Sequence, residues 1–188
     1  MKSVRVAMLA GVAGLLALPG LQDGVQADGK RRSLRADLHG FEEPPAVSST
    51  GSGDFRARID RDGTAFDYEL NFQDLEGDVT QAHIHLAQRG VNGGISVWLC
   101  GTDDAPGPAG TPSCGGPRSG SVSRTVSASD VIGPAGQGIA AGEFEELLTA
   151  MREGVTYVNV HSTRNPGGEI RGQIGGRFAG LFGGHHDH

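Results

Sequence analysis

The sequence predicts an all-β protein, an antiparallel Greek-key-like β-sandwich with one short helix. Three observations support this prediction. Short runs of alternating apolar and polar residues recur along the chain, as in half-buried strands. Glycine is abundant, at 32 residues, and turn signals separate the runs. Only one helical pattern is present, and there is no alternation of strands and helices of the kind that builds parallel sheets.

The alternating runs predict eight strands at residues 33–39, 53–59, 64–72, 79–86, 95–99, 120–126, 155–161 and 168–174. Gly40 and the Pro44–Pro45 pair end the first strand. Asp62–Gly63 is a strong hairpin signal between the second and third strands. Asn165–Gly168 supplies the turn between the last two strands.

The single helix is predicted from apolar residues at spacing i, i+3, i+4 and i+7, which form one stripe: Phe144, Leu147, Leu148 and Met151. Glutamates occupy its first turn and Arg152 its last, as the helix dipole favours. Gly154 is placed to end the helix.

The two ends of the chain are interpreted as segments outside the folded domain. Residues 1–27 have the pattern of a secretory signal peptide: two basic residues, a short apolar stretch and a cleavage position after Ala27. The alternative is a retained membrane anchor. Residues 28–32 are then an N-terminal arm, residues 33–178 the domain, and residues 179–188 a tail rich in glycine and histidine.

The charge of the chain argues against two classes of partner. The formal net charge is −6, and removing the basic signal peptide would make the chain more acidic. An acidic surface disfavours general binding to nucleic acid or to anionic membranes. The basic run Lys30–Arg32 is interpreted as a solvated arm.

The two cysteines, Cys100 and Cys114, are predicted to form a disulfide, because thiols of exported proteins usually pair. The alternative is a thiolate metal site, but this spacing matches no common zinc motif.

The strand pattern gathers three histidines on faces that do not point to the core. His83 and His85 alternate with apolar residues on one predicted strand, and His161 alternates with valines on another. Neutral imidazole is a good ligand for Cu(II), Zn(II) and Ni(II). If the two strands are close together, these three residues are candidate metal ligands. The alternative is that the histidines only hydrogen-bond to neighbouring groups.

Three further polar residues are candidates to hold the ligands in place. If the last two strands pair with Asn159 opposite Arg171, then Glu169 opposes His161 and could orient its imidazole through the second ring nitrogen. These residues could equally form a structural network that fixes the hairpin.

Other histidines have weaker roles in this hypothesis. His39 is a candidate fourth ligand. The terminal run His185–His188 could capture a metal ion and deliver it, or could be a solvated end.

Three stretches of the chain form a recognisable set: Leu38–Gly40 with Glu43–Pro45, Ala82–His85 with the glycines at 90, 93 and 94, and the closing run 157–173. Together they resemble the CHRD (chordin-type) domain family. The segment between Gly40 and Pro44 is one residue shorter than the family pattern, and His39 replaces a small residue.

The resemblance implies an extracellular or periplasmic β-sandwich. The strand histidines are also similar to the copper-binding strands of copper,zinc superoxide dismutases, which implies a superoxide-dismutase-like or Ig-like sandwich. On that basis His83, His85 and His161 are candidate copper ligands, with zinc as the alternative.

The sequence therefore favours an exported protein that binds a transition metal, copper first, for storage, buffering or tolerance. The second hypothesis is a structural or adhesive module that binds another extracellular protein and no metal. The third is a redox enzyme of superoxide dismutase type, with Arg171 as a guiding cation. The chain has no Ser/His/Asp or Cys/His nucleophile arrangement and no phosphate-binding loop.

Overall fold

A computed structural model describes residues 32–175 of the chain. The eight strands are β1 (Ser33–His39), β2 (Ser52–Ile59), β3 (Ala65–Gln73), β4 (Val79–Leu86), β5 (Gly94–Gly101), β6 (Gly120–Ser127), β7 (Thr156–Ser162) and β8 (Ile170–Ile174). Helix α1 is Phe144–Arg152, and short 3-10 turns lie at Gly40–Glu42, Ala128–Asp130 and Ala135–Gln137. The predicted signal peptide, nearly all of the arm and the tail lie outside the described residues.

The strands form one antiparallel sheet in the order β5-β4-β7-β8-β1-β2-β3-β6. The sheet curves until its two ends approach each other. The hydroxyl of Tyr68, on β3, donates a hydrogen bond to the carbonyl oxygen of Leu99, on β5, at 2.5 Å. The result is an all-β fold of sandwich or barrel type, as predicted.

The inner face of this curved sheet encloses the apolar core. Side chains alternate inward and outward along β1, β2 and β3, and the inward ones are buried. Helix α1 closes one side of the core with its predicted apolar stripe. The ring of Phe144 stacks on that of Phe66 with centroids 5.8 Å apart. Within residues 32–175, no helix has both the length and the apolar character needed to cross a membrane.

Strand β7 differs from the sequence expectation because it is buried on both faces. One face packs on the core. The other is covered by two segments, residues 40–47 and residues 88–93. These segments contact each other through Asn92, whose side-chain amide donates to the carbonyl oxygen of Pro44 at 3.3 Å. Arg171 ties the second segment to the sheet by donating to the carbonyl oxygens of Gln88 and Val91.

The predicted disulfide is present between Cys100 and Cys114. Both cysteines are fully buried. The segment between them leaves the end of β5, and its return is fixed by a hydrogen bond from the Cys114 amide to the Gly101 carbonyl oxygen at 3.0 Å. The disulfide therefore closes a loop at an edge of the sheet.

Removal of this disulfide should destabilise the fold. The cross-link spans 14 residues, and closing a loop of that size contributes about 3 kcal/mol by restricting the unfolded chain. We expect the Cys100→Ala/Cys114→Ala variant to lose about that free energy of unfolding in urea titrations. A reducing agent should lower the stability of the parent protein and leave the double variant unchanged. Equal stability of the two proteins would contradict the prediction.

Candidate metal centre

Strand β4 carries two of the three histidines to the outer face of the sheet. Ala82 and Ile84 point into the core, so the alternation of the strand turns His83 and His85 outward. The pairing of β4 with β5 slips by one residue next to each of these histidines. Such bulges change the direction of nearby side chains and are common beside functional sites.

The pairing of β4 with β7 brings the third histidine to the same place. His83 lies opposite Asn159, and Gln81 lies opposite His161. Rings on this face therefore meet across the two strands. One ring nitrogen from each of His83, His85 and His161 lies within 4.8 Å of the other two. We call these three residues the histidine cluster.

The histidine cluster is buried, although it lies on the outer face of the sheet. His83, His85 and His161 are 1%, 8% and 7% exposed. Their direction confirms the sequence expectation, but their burial goes beyond it. The loops that cover β7 exclude solvent from this face of the sheet, which therefore forms a second interior that is polar rather than apolar.

His85 is fixed by its first ring nitrogen. Nδ1 lies 2.9 Å from the carbonyl oxygen of Gly93, and a carbonyl can only accept, so Nδ1 holds the proton. Residue 93 must be glycine for its loop to lie this close to the end of β4, because a Cβ at position 93 would be 1.8 Å from the carbonyl oxygen of Leu86. The ring also stacks on Tyr157, with centroids 4.7 Å apart. Its Nε2 is buried and has no hydrogen-bond partner.

His161 is fixed in the same way by a different loop. Its Nδ1 donates to the carbonyl oxygen of Pro166 at 2.9 Å, so Nε2 of the neutral ring carries a lone pair. That Nε2 is 3.2 Å from Nδ1 of His83. The Nε2 of His83 is buried without a partner, and the His83 ring packs edge-on against Trp98 at 4.3 Å.

The environment keeps these imidazoles neutral. Burial lowers the pKa of His83 from 6.5 to about 2, with help from the other two rings. Burial also lowers the pKa of His85 to about 4, although its hydrogen bond to Gly93 opposes the shift. The pKa of His161 is lowered by burial, against the opposing effect of its hydrogen bond to Pro166. Neutral imidazole is the form that binds metal ions.

The rings fit a transition metal by chemistry and by spacing. In a tetrahedral site, two nitrogens bound to one ion at about 2.0 Å are about 3.3 Å apart. The His83–His161 nitrogen pair is 3.2 Å apart. The unpartnered Nε2 of His85 is also explained by a bound cation, since buried polar atoms are rarely left without a partner.

A layer of polar side chains surrounds the histidine cluster. Glu43 comes from the segment after β1 and is 7% exposed. Burial raises the pKa of Glu43 to about 7, although the charge of Arg171 and a hydrogen bond with Asn159 oppose the rise. Arg171 lies over the ring of Tyr157, with its guanidinium carbon 3.3 Å from the centroid. Asn159 and Arg171 are opposite each other on β7 and β8, the register expected from the sequence.

Glu169 does not orient an imidazole, in contrast to the sequence hypothesis. Its carboxylate turns toward the start of β4, where it accepts hydrogen bonds from the hydroxyls of Ser49 and Ser162 and from the Glu76 amide. Burial opposes ionisation, but these hydrogen bonds lower the pKa of Glu169. The carboxylate is thus a structural acceptor that joins the loops of Ser49 and Glu76 to the end of β7, and His161 is oriented by a backbone carbonyl instead.

Arg171 does not have the position of a guiding cation. It is 1% exposed, and its guanidinium donates to Gln88, Val91 and Asn92. It holds the covering loop in place rather than facing solvent. His39, the candidate fourth ligand, is exposed and lines a shallow groove with Asp37 and Ser52. It is outside the histidine cluster. The tail histidines lie outside the described residues.

Sequence reasoning missed three contributors to this site. Glu42 pairs with Arg89 at the surface, while its neighbour Glu43 is buried in the polar layer. Nothing in the local pattern marks Glu43 for burial. Trp98 could have been found from its place on the outward face of β5. The role of the Gly93 carbonyl depends on a loop conformation that the sequence does not reveal.

Comparison with known proteins gives one match. A family model described as CHRD domain matches residues 34–174, which is most of the chain. No curated protein matches the chain. No solved structure matches it.

Acid should destabilise the metal-free protein through the histidine cluster. An imidazole with a lowered pKa in the fold contributes stability above its unfolded pKa of 6.5, and this is lost as the pH falls through the folded values, about 4 for His85 and about 2 for His83. Below pH 6.5 the free energy of unfolding should fall by about 1.4 kcal/mol per pH unit for each ring. Urea unfolding between pH 7 and pH 4.5 measures this slope.

Two variants separate the contributions to this slope. His83→Gln removes one ring and should make the loss shallower. Glu43 acts in the opposite direction: with its pKa raised to about 7, its contribution is full below 4.5 and is lost as the pH rises through 7. Glu43→Gln should therefore make the acid loss steeper. An unchanged slope in His83→Gln would contradict the assignment.

Proposed function

The chain belongs to the CHRD domain family, and on that basis we propose that it is an exported protein that binds one transition metal ion. The ligands are His83, His85 and His161. Copper is the favoured metal, and zinc is the alternative. The role is storage, buffering or tolerance of the metal rather than turnover of a substrate.

One observation carries this proposal. Three neutral imidazoles meet with one nitrogen each inside 4.8 Å, and Nε2 of His85 is buried without a partner. A purely structural cluster would be expected to hydrogen-bond that atom, because burying an unpaired polar group is unfavourable. A metal ion bound by the cluster satisfies it.

The choice of copper follows from the donor atoms. Imidazole nitrogen suits copper, zinc and nickel, and among divalent first-row ions Cu(II) binds a given nitrogen site most tightly. The donors include no thiolate, which would favour Cu(I) or zinc. Zinc remains the alternative because three histidines are also a common zinc set.

Export is supported by two features. The pattern of residues 1–27 is that of a cleaved signal peptide. The disulfide between Cys100 and Cys114 is of the kind that persists outside the cytoplasm. The mature chain would then begin at Asp28, with the metal ion as its main partner. Its acidic charge disfavours nucleic acid and membrane surfaces as partners.

Storage is favoured over catalysis by the closure of the site. The histidine cluster lies beneath two loop segments, and Arg171, which lies over the ring of Tyr157, is engaged by backbone carbonyls. An enzyme that acts on a small anion needs an open ligand position with a charged approach. This arrangement keeps a bound ion away from solvent.

The second candidate is a structural or adhesive module without metal. It is favoured by the hydrogen bonds that the cluster already makes. His85 and His161 each donate to a loop carbonyl, and His83 and His161 can share a proton. In that case the rings would serve to fix the two loops, and the partner would be another extracellular protein.

Metal binding should be measurable by calorimetry with Cu(II) and Zn(II) on the mature chain. The tail histidines His185, His186 and His188 are replaced by asparagine so that they do not bind metal. We expect one ion per chain, and loss of binding in His83→Ala/His161→Ala because two of three ligands are gone. At 100 times the dissociation constant, the ion should raise the free energy of unfolding by about 2.7 kcal/mol.

The matched control is His39→Ala, which removes an exposed histidine outside the cluster and should bind as the parent does. Thermal unfolding of each metal-free variant checks that it is folded. Absence of binding in the parent would sink the metal proposal and favour the structural module. Superoxide removal by the copper-loaded protein, lost in the double variant, would favour the redox enzyme.

A further inference from the structure

We infer that the side-chain oxygen of Asn159 is a fourth ligand in this site and that Glu43 is the residue that positions it. The inference rests on the proposed metal binding and deepens it. It makes the site a closed set of three imidazole nitrogens and one amide oxygen.

The first step is the state of the ring nitrogens. His85 and His161 each use Nδ1–H to donate to a carbonyl oxygen, at Gly93 and Pro166. A neutral ring has one proton, so both Nε2 atoms carry lone pairs. The cluster therefore presents two hydrogen-bond acceptors to one buried space, and only His83 has a proton to offer.

Asn159 adds a third acceptor to the same space. Its Oδ1 lies 3.1 Å from Nε2 of His161. Two acceptors at this distance repel each other unless a proton or a cation lies near both. The Pro166 carbonyl already holds the only proton of the neutral His161 ring. A metal ion bound by both atoms removes the conflict.

Glu43 determines which way the amide faces. The Glu43 carboxylate lies beside the NH₂ group of Asn159, with both groups against Gly168. An ionised carboxylate can only accept, so this contact holds the NH₂ group toward Glu43. The oxygen then faces the imidazoles. Gly168 makes room for this contact, since a Cβ there would be 2.2 Å from Oε1 of Glu43 and 3.0 Å from Nδ2 of Asn159.

Glu43 also fits the charge of the site. The four proposed ligands are neutral, so a divalent ion would bring two positive charges into a buried space. Glu43 is the one carboxylate in the described polar layer around the cluster, and it is almost fully buried. Glu43 would contact the ligand Asn159 rather than the ion, and its negative charge would offset part of the positive charge, as carboxylates behind metal ligands commonly do.

The oxygen ligand has a consequence for metal selectivity. Amide oxygen is a harder donor than imidazole, and it suits divalent ions better than Cu(I), which prefers sulfur ligands. The site should therefore hold Cu(II) or Zn(II) in preference to Cu(I). A complete four-ligand set leaves little room for a substrate, in agreement with storage.

The test exchanges donor and acceptor between the two residues. Asn159→Ala removes the oxygen and should weaken Cu(II) binding at least about 10- to 100-fold, the range found when a residue behind a metal ligand is lost. In Glu43→Gln/Asn159→Asp, the new amide donates to the new carboxylate, which still presents an oxygen to the site. This double variant should restore binding to at least the parent affinity. Asn71→Ala, on the exposed face of β3, is the matched control.

Calorimetry gives the affinities, and the visible absorption band of bound Cu(II) reports on the ligand set. The band should shift in Asn159→Ala and not in Asn71→Ala. Parent affinity and an unshifted band in Asn159→Ala would overturn the inference while leaving the three-histidine site intact. Equal weakening in Asn159→Ala and in the double variant would also overturn it, since that indicates a merely structural role. Failure of the parent to bind metal would remove both proposals together.

Discussion

The pairing of β4 with β7 is the constraint on which the site depends. These strands lie inside the sheet, hydrogen-bonded on both sides, in a register that sets His83 opposite Asn159. A slip of one residue would turn the histidines into the core and the core residues outward. The inward set, Ala82 and Ile84 on β4 with Val158 and Val160 on β7, is fully buried. The hydrophobic face therefore fixes the register, and the register assembles the histidine cluster.

The second, polar interior of this protein is built around the histidine cluster. Loops 40–47 and 88–93 lie over the outward face of β7 and bury polar groups there, which is unfavourable unless each group finds a partner. Most do: Arg171 finds three acceptors in the second loop, and His85 and His161 each find a carbonyl. The groups left over include Nε2 of His85 and one oxygen of Glu43. Nε2 of His85 is a proposed ligand atom, and Glu43 is the proposed balancing carboxylate.

Much of this architecture could be predicted from the sequence, because strand alternation reports which residues face the core. All eight strands lie within two residues of the expected positions, and the stripe of α1 is buried as expected. The disulfide and the approach of His83, His85 and His161 were also predicted. Strand alternation does not show which segments cover the outward face of the sheet. We therefore could not predict that the cluster is buried, that Glu43 lies in the polar layer, or that Glu169 bonds to Ser49 and Ser162. Those features depend on loop paths.

The loops that cover the site would affect the rate of metal exchange as well as the electrostatics of the site. The imidazoles lie beneath two loops that Asn92 joins and that Arg171 ties to the sheet, so an ion could enter or leave only when that cover opens. Local opening of loops is governed by their own free energy rather than by the strength of the metal–ligand bonds. Residence time and affinity would then be separable properties. Changes in the loop contacts could set how long an ion stays without altering any of its ligands.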